Sequence, residues 1–255
     1  LDYAINKNTL LGFAFGSSKT QFDVAERDTS GLVESNSLAF YGSKDFDKMY
    51  LKGALSYDWL DAETRRFAFV EGSTAPIIPV AGVANNLQAQ FDGKTFNGRL
   101  EAGYKTNWKK LNITPFAGVQ LSFAKIGAAT ETAAESDDAL ALAYSKNDAY
   151  SAPVFVGAQI DSMFMLSEGS IQPYAKLSFA HDFSTKRAME ASFVSAPGYK
   201  FEVQGAVPDA NTMDVNLGFK MTSITNLAFY GQFNGQYSEN GAKNEGGTLG
   251  LEVHW

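Results

Sequence analysis

Apolar and polar residues alternate along most of the chain, the pattern of β-strands with one apolar and one polar face. The pattern recurs in ten runs: Thr9–Phe22, Glu34–Phe46, Tyr50–Phe67, Leu87–Trp108, Ile113–Gly127, Leu140–Phe164, Ile171–Phe183, Met213–Met221, Leu227–Tyr237 and Thr248–Trp255. Several runs are longer than 12 residues, whereas strands of soluble proteins usually have about 5–6. Long alternating strands are typical of membrane-spanning strands that extend beyond the bilayer.

The connections between the runs alternate between short and long. The short ones are Phe46–Met49, Lys109–Asn112, Leu166–Ser170 and Thr222–Asn226. The long ones are Asp23–Val33, Ala68–Asn86, Ala128–Ala139, Ser184–Thr212 and Ser238–Gly247. Outer-membrane barrels have tight turns at the periplasmic rim and longer loops at the extracellular rim. The alternation therefore predicts an all-β protein, an antiparallel up-and-down transmembrane β-barrel with its C-terminus at the periplasmic rim.

Two of the long connections contain further patterns. Ala196-Pro197-Gly198 separates the short alternating segments Arg187–Ser195 and Tyr199–Ala206. We expect an extracellular hairpin outside the main sheet, with a tight turn at these three residues and a positive φ at Gly198. The stretch Ala128–Ala143 is rich in Ala and Glu. Because strand patterning resumes directly after it, we expect a long acidic loop there with at most one helical turn.

The strand face opposite the apolar one carries charges of both signs, and we assign it to the barrel lumen. Its charged residues are Lys52, Asp58, Arg99, Glu101, Lys105, Asp161, Lys176, Asp214, Lys220 and Glu252. On the lipid face, each Lys or Arg at mid-bilayer would cost about 2–4 kcal/mol. The last run predicts lipid contact for Leu249, Leu251, Val253 and Trp255. Aromatic residues near strand ends suit the membrane interfaces: Tyr3, Tyr50, Trp59, Tyr104, Trp108 and Trp255.

The composition excludes several other classes of protein. The chain has 255 residues, of which 45% are hydrophobic and 13% aromatic, with no cysteine and a net charge of −7. The absence of cysteine excludes disulfides, thiolate zinc sites and cysteine nucleophiles. The acidic balance disfavours nucleic-acid binding. The longest nearly apolar stretch, Ala75–Ala84, has only 10 residues, too few for a spanning helix. The N-terminus of the chain lacks the pattern of a signal peptide, so we expect any export signal to lie upstream or to have been removed.

Few residues are candidates for catalysis or metal binding. The two histidines are His181 and His254. Because adjacent strand residues point to opposite faces, His181 and Asp182 are poorly placed for a hydrolase triad. Glu131, Glu135 and Asp137-Asp138 resemble a loose calcium site but lack the spacing of a calcium-binding loop. We expect a solvated acidic loop there, and neither cofactor nor metal.

The combined order of motifs resembles the C-terminal translocator domain of classical monomeric autotransporters of Gram-negative bacteria. The motifs that carry the resemblance span nearly the whole chain: Phe91–Tyr104, Ile113–Gln120, Gln172–Ala175, Phe179–Phe183 and Ala196–Ala206. The C-terminal residues Thr248, Gly250, Val253 and Trp255 also match the signal that the barrel-assembly machinery reads in this family. The resemblance implies a 12-strand barrel. Residues 1–255 then form a single domain with ten complete strands and a stub at Leu1–Ile5, lacking the first strand and most of the second.

The resemblance also implies a function and a set of partners. Such a domain lies in the outer membrane and supports export of its own N-terminal passenger, the process called type V secretion. The implied partners are the passenger with its pore helix, the barrel-assembly machinery, and the lipid and lipopolysaccharide of the outer membrane. Nucleic acid is not among them. The alternatives are a barrel enzyme of protease or lipase type, which needs a histidine within hydrogen-bond reach of a serine or carboxylate, and a passive pore for small solutes.

Overall fold

The computed structural model describes residues 1–24, 28–72, 81–134, 138–205, 207–223 and 227–253, and every regular element in these ranges is a β-strand. The first ten are β1 Asp2–Asn6, β2 Thr9–Val24, β3 Thr29–Phe46, β4 Met49–Val70, β5 Val83–Tyr104, β6 Thr106–Trp108, β7 Leu111–Ile126, β8 Ala129–Thr130, β9 Thr132–Ala133 and β10 Leu142–Tyr144. The others are β11 Asn147–Ser151, β12 Pro153–Asp161, β13 Phe164–Leu166, β14 Gly169–Asp182, β15 Ala188–Phe193, β16 Ala196–Gln204, β17 Asn211–Ser223, β18 Leu227–Ser238 and β19 Lys243–Val253. A search of the described residues finds no helix that could cross a membrane.

Most strands form one antiparallel sheet in sequence order. Its path is β1-β2-β3-β4-β5-β7-β12-β14-β17-β18-β19, and β6, β9, β11 and β13 extend it beside this path. β11 and β12 are two parts of one long strand, interrupted at Ala152. The predicted count of ten long strands plus an N-terminal stub is therefore confirmed for the described residues. The predicted run Leu140–Phe164 is split, because its first residues form β10 in a second sheet.

Several strands extend a few residues further toward the loops than the sequence pattern predicts. In the β4–β5 ladder, Met49 pairs with Tyr104 at one end and Val70 with Val83 at the other. The β2–β3 ladder continues until Val24 pairs with Thr29. Both ends of the predicted long connections Asp23–Val33 and Ala68–Asn86 therefore belong to strands. At about 3.3 Å per residue a strand of this length spans roughly 70 Å, far more than the apolar band of about 25 Å in outer-membrane barrels. The loop-side ends of these strands thus project beyond a bilayer.

The main sheet is strongly curled. Lys176 on β14 reaches Glu101 on β5 with an Nζ–Oε2 distance of 3.0 Å, although β7 and β12 lie between these strands. Side chains of non-adjacent strands meet only on the inside of a curved sheet. We call this side the concave face, and the opposite side the convex face.

The convex face is apolar up to a sharp boundary. A row of aromatic residues crosses neighbouring strands in register: Tyr57, Phe96, Phe123 and Tyr150. The next convex row toward the loops is Trp59, Lys94, Lys125 and Asp148. Aromatic side chains followed by charged ones are typical of the interface between membrane and water. The two rows therefore indicate the loop-side limit of the lipid-facing band on these strands.

A second, smaller sheet lies at the loop end, with the order β16-β15-β10-β8. The prediction that the hairpin stays outside the main sheet is confirmed, but the predicted turn is wrong. The chain reverses at residues 194–195, β16 already begins at Ala196, and Gly198 is not among the described glycines with positive φ. Ser192 pairs with Lys200, but the next residue, Phe193, pairs with Ala196, so residues 197–199 have no partner in the β15–β16 ladder. Pro197, which has no N–H to donate, thus lies in an unpaired bulge.

The acidic stretch Ala128–Ala143 also differs from the expectation. Its described residues contain the short strands β8 and β9 and the start of β10, and no helical turn. β9 continues the main sheet by pairing with β5, whereas β8 and β10 belong to the second sheet. The segment therefore connects the two sheets.

Candidate functional site

A buried carboxylate is the centre of the concave face. Glu101 is 5% exposed. It accepts hydrogen bonds from the Tyr50 hydroxyl at 2.8 Å and from Lys176 Nζ at 3.0 Å, and Arg99 Nη2 lies 3.4 Å from it. The prediction that Tyr50 belongs to an interfacial aromatic belt is wrong, because it lies on the concave side like Lys52 and is buried against Glu101. Three strands thus contribute to one ion-paired cluster.

Aromatic rings support both cations of this cluster. The Arg99 guanidinium carbon lies 3.9 Å from the centre of the Phe155 ring, and Lys176 Nζ lies 4.1 Å from the centre of the Phe116 ring. The rings belong to a small buried group that also contains Tyr50 and Ala180. Cations over ring faces gain about 0.5–2 kcal/mol when partly desolvated. The rings therefore hold the cations in place around Glu101.

Glycines on neighbouring strands make room for these rings. A Cβ at Gly103 would collide with the Tyr50 ring, and a Cβ at Gly118 would collide with the Phe155 ring. The same pairing recurs at the last strand, where Tyr230 lies over Gly250. These pairs are not predictable from the sequence, because alternation within one strand contains no information about its neighbour.

The remaining predicted lumen residues lie along the same face. Lys220 Nζ and Glu252 Oε2 are 2.6 Å apart across β18, and Lys105 is paired with Asp45. Asp214 accepts hydrogen bonds from Gln236 and Ser178. Buried Asp161 accepts hydrogen bonds from three amides: Asn112, Gln159 and Gln172. Each of the named acids therefore has a partner.

One side of the concave face is rich in neutral amides. A cavity of about 740 Å³ lies along it. Its lining includes Gln120, Gln159, Asn216, Gln232, Asn234, Gln236 and Asn244. Amide side chains both donate and accept hydrogen bonds. The amides therefore add neutral polar contacts beside Arg99, Lys176 and Asp214, which line the same cavity.

A family model described as the autotransporter beta-domain matches residues 1–234. The chain belongs to the autotransporter beta-domain family. It is accordingly an outer-membrane barrel of Gram-negative bacteria that supports export of a linked passenger. A search of curated protein sequences found no significant relative.

Solved structures of the same fold include the translocator domain of the autotransporter NalP from Neisseria meningitidis. It is 14% identical, with a TM-score of 0.74, and the match covers 100% of this chain and 78% of that one. The beta domain of the Bordetella autotransporter BrkA is 11% identical, with a TM-score of 0.52 and coverage of 96% and 91%. CymD, a monoaromatic hydrocarbon channel, is 11% identical, with a TM-score of 0.54 and coverage of 98% and 71%. At these identities the similarity is one of fold.

The histidine and acid that could suggest a hydrolase have separate partners in this β-domain. His181 Nδ1 lies 2.8 Å from Asn211 Oδ1, whereas Asp182 accepts hydrogen bonds from Ser151 Oγ and from the amides of Ala152 and Ser184. Burial alone would raise the pKa of Asp182, but these hydrogen bonds and the charge of Arg187 lower it below its usual value. Asp182 therefore fixes the chain where β14 ends. His254 lies outside the described residues.

The expectation of a solvated acidic loop is wrong for Glu131. Its side chain is 3% exposed. The Arg66 guanidinium donates two hydrogen bonds to it, at 2.7 and 2.6 Å, and the Tyr144 hydroxyl donates a third at 3.0 Å. Burial and the charge of Glu131 raise the pKa of Tyr144 to about 12, so this hydroxyl remains a donor. No cluster of potential metal ligands occurs among the described residues, which exclude Glu135 and Asp137.

The residues of the predicted assembly signal lie on both faces of β19. Glu252 follows the concave alternation, as do Thr248 and Gly250. Leu249, Leu251 and Val253 alternate with them and are exposed on the convex side. β19 pairs with β18 along its whole length, from Lys243 opposite Tyr237 to Val253 opposite Leu227. Trp255 lies outside the described residues.

Proposed function

We propose that the concave face is the wall of the path along which this β-domain exports its own N-terminal passenger. Arg99, Glu101, Lys105, Lys176, Asp214, Lys220 and Glu252 are the charged part of this wall. The observation that carries the proposal is the cluster at Glu101. A lipid-facing surface would contain no such charges, and a soluble core would rarely contain so many.

The pairing of these charges suits a wall that a polypeptide slides past. An unpaired lysine or glutamate in a narrow channel would bind oppositely charged side chains of the moving chain and hold them. Here Glu101 is saturated by Tyr50 and Lys176, and Lys220 is neutralised by Glu252. The amide-rich side adds groups that can bond any peptide backbone, or the pore helix of the passenger, without selecting its charge.

We further propose that the β-domain itself is not an enzyme. His181 and Asp182 have different partners on opposite faces of the sheet, which a charge-relay arrangement does not tolerate. Among the alternatives, a passive pore shares the fold, but it has no need of a linked passenger. The paired wall supports peptide export better than either alternative.

The proposed partners outside the chain are the barrel-assembly machinery, outer-membrane lipid and lipopolysaccharide. Edge strand β19, with its alternating apolar residues, offers a backbone that another strand can pair with. The convex Lys94 and Lys125 lie directly above the aromatic row, at the depth of anionic headgroups.

The export proposal is tested by charge reversal in the full-length protein. Lys176→Glu places a second carboxylate beside Glu101, and we expect severalfold less passenger at the cell surface for the same amount of folded barrel. Glu101→Lys combined with Lys176→Glu restores the pair with reversed polarity and should restore most of the export. Lys19→Glu, at an exposed pair with Glu34, is the control. Unchanged export by Lys176→Glu would contradict the proposal.

A further inference from the structure

One face of β5 is buried at its loop-side end, although the strand projects beyond the membrane there. Asn85, Leu87 and Ala89 are 2%, 1% and 3% exposed, whereas Ala84, Asn86, Gln88 and Gln90, which alternate with them, are exposed. The buried residues have the same alternation as Arg99 and Glu101. Part of the chain therefore covers the concave face at this level.

The covering residues come from the acidic connection after β7. We call residues 129–134 and 138–144 the cover segment. Leu142 and Ala141 are buried in it, the Tyr144 ring packs on Phe91 of β5, and the Leu140 amide donates to Asn85 Oδ1 at 3.3 Å. The segment thus packs on the concave face at the loop-side end of β5, and not outside it as a free loop would.

Among the described residues, one charged pair joins the cover segment to the wall. Glu131 of the segment reaches past β5 to Arg66 on β4, whose Nε and Nη2 donate to the Glu131 carboxylate. Arg66 Nη2 also donates to the Leu140 carbonyl at 3.0 Å. The Leu142 amide and the Tyr144 hydroxyl saturate the same carboxylate. In such a part-buried bidentate pair, the loss of either partner leaves the other charge without its counter-ion.

The rest of the attachment to β5 is short. In the described part of the chain, β9 pairs with β5 at two positions, Leu87 with Ala133 and Gln88 with Thr132, and the Ala134 amide donates to the Asn86 carbonyl. On its other side the segment joins β15 and β16 through β10. A unit with so few ladder bonds opens more readily than the long strands beneath it. The second sheet is therefore attached to the main sheet mainly along β5, through the short strand β9.

We propose that the cover segment is a lid that closes the loop-side end of the concave face, that the Arg66–Glu131 pair holds it closed, and that it leaves this face while the passenger passes. The last part rests on the proposed function, because it places the export path along the concave face. The lid closes the path from the outside, so the barrel remains sealed when no chain occupies it.

Cysteine labelling tests whether the lid exists and what holds it. The chain has no cysteine of its own, so Ala89→Cys is a single probe beneath the lid and Gln90→Cys is its exposed neighbour on the same strand. Both are made in the full-length protein, with any cysteines outside this domain replaced by serine. A membrane-impermeant maleimide is added to intact cells.

We expect the Ala89→Cys probe to react at least tenfold more slowly than the Gln90→Cys probe. Adding Arg66→Ala or Glu131→Ala should bring the two rates within about threefold, whereas Lys19→Ala, which breaks an exposed pair, should leave the difference unchanged. An unchanged Gln90→Cys rate and a normal amount of heat-modifiable barrel show that the variants still fold. Equal rates for the two probes in the otherwise unaltered protein, or a difference that survives both lid variants, would overturn the lid.

A reversible lock tests the opening. Gln88→Cys with Thr132→Cys places a cysteine pair at directly opposed ladder positions, within the Cα range of a disulfide. We expect oxidation to reduce surface passenger severalfold and reductant to restore it. Full oxidation with unchanged export would refute the opening step. Because the Lys176→Glu and labelling experiments are independent of the lock, a failure of the export proposal is distinguishable from a failure of the lid.

Discussion

The ion pair at Glu101 should contribute far more to stability than any surface pair of the same chemistry, and Glu101→Ala tests this. The substitution leaves the buried Tyr50 hydroxyl without its acceptor, which costs about 1–3 kcal/mol. It also leaves Lys176 without a counter-charge. Breaking a fully buried pair costs about 3–5 kcal/mol, but Lys176 is 23% exposed and keeps the Phe116 ring. We therefore expect a total loss of about 2–4 kcal/mol.

The matched control is Glu34→Ala. Glu34 pairs with Lys19 at 2.6 Å, yet both side chains are more than half exposed, so its loss should cost about 0–1 kcal/mol. The measurement is equilibrium unfolding in urea of protein refolded into lipid vesicles, followed by tryptophan fluorescence. A double-mutant cycle with Lys176→Met should give a coupling of about 1–3 kcal/mol. Equal losses for Glu101→Ala and Glu34→Ala would refute the reasoning, because burial would then make no difference.

Three further predictions concern the membrane band, the end of β14 and the C-terminus. Val119→Lys, in the middle of the convex face of β7, should cost about 2–4 kcal/mol in vesicles, and Phe123→Lys, next to the charged row, about 0–1 kcal/mol; equal costs would contradict the assigned boundary. Because the folded pKa of Asp182 is lowered, its contribution is present above its ordinary pKa of about 3.9 and is lost as the pH falls through the folded value. Asp182→Asn should therefore lose less stability than the parent between pH 7 and pH 3, as vesicle unfolding would show. Trp255→Ala in the full-length protein should lower barrel insertion severalfold in a pulse-chase assay, while refolded stability falls by only about 1–3 kcal/mol; unchanged insertion would count against a terminal assembly signal.

The membrane-spanning part of the fold is predictable from the sequence, because in lipid every strand must point its apolar residues outward. Residues such as Leu249, Leu251 and Val253 must face lipid, and their neighbours must then point to the other side. Strand number and face assignments follow from this alternation, and strand order follows from the alternating short and long connections. The hairpin β15–β16 was also recognisable as separate, since its alternation is weak and its strands are short.

Beyond the membrane no lipid contacts the strands, so their apolar residues need not point outward. At Leu87 and Ala89 the apolar side of β5 is the concave one, whereas Gln88 and Gln90 lie on the exposed side, so the alternation continues with its faces exchanged. Glu131 looked like a solvated acid because its partner, Arg66, is 65 residues away in the sequence. Tyr50 looked interfacial because aromatic residues near strand ends usually are; its burial depends on Glu101 and Gly103 of the neighbouring strand. Each of these features is set by contacts between strands.

The distribution of burial itself argues that a membrane completes this fold. Among the described residues, Leu87 is the one large side chain that is less than 2% exposed, whereas Phe13, Phe40, Leu121 and many other large apolar residues are exposed on the convex face. Soluble monomers rarely expose contiguous apolar patches beyond a few hundred Å², and this surface follows the sheet from β2 to β19. In water it would drive aggregation. In lipid it is the solvated surface, while the ladder hydrogen bonds and the polar pairs at Glu101 and Glu131 hold the strands to one another.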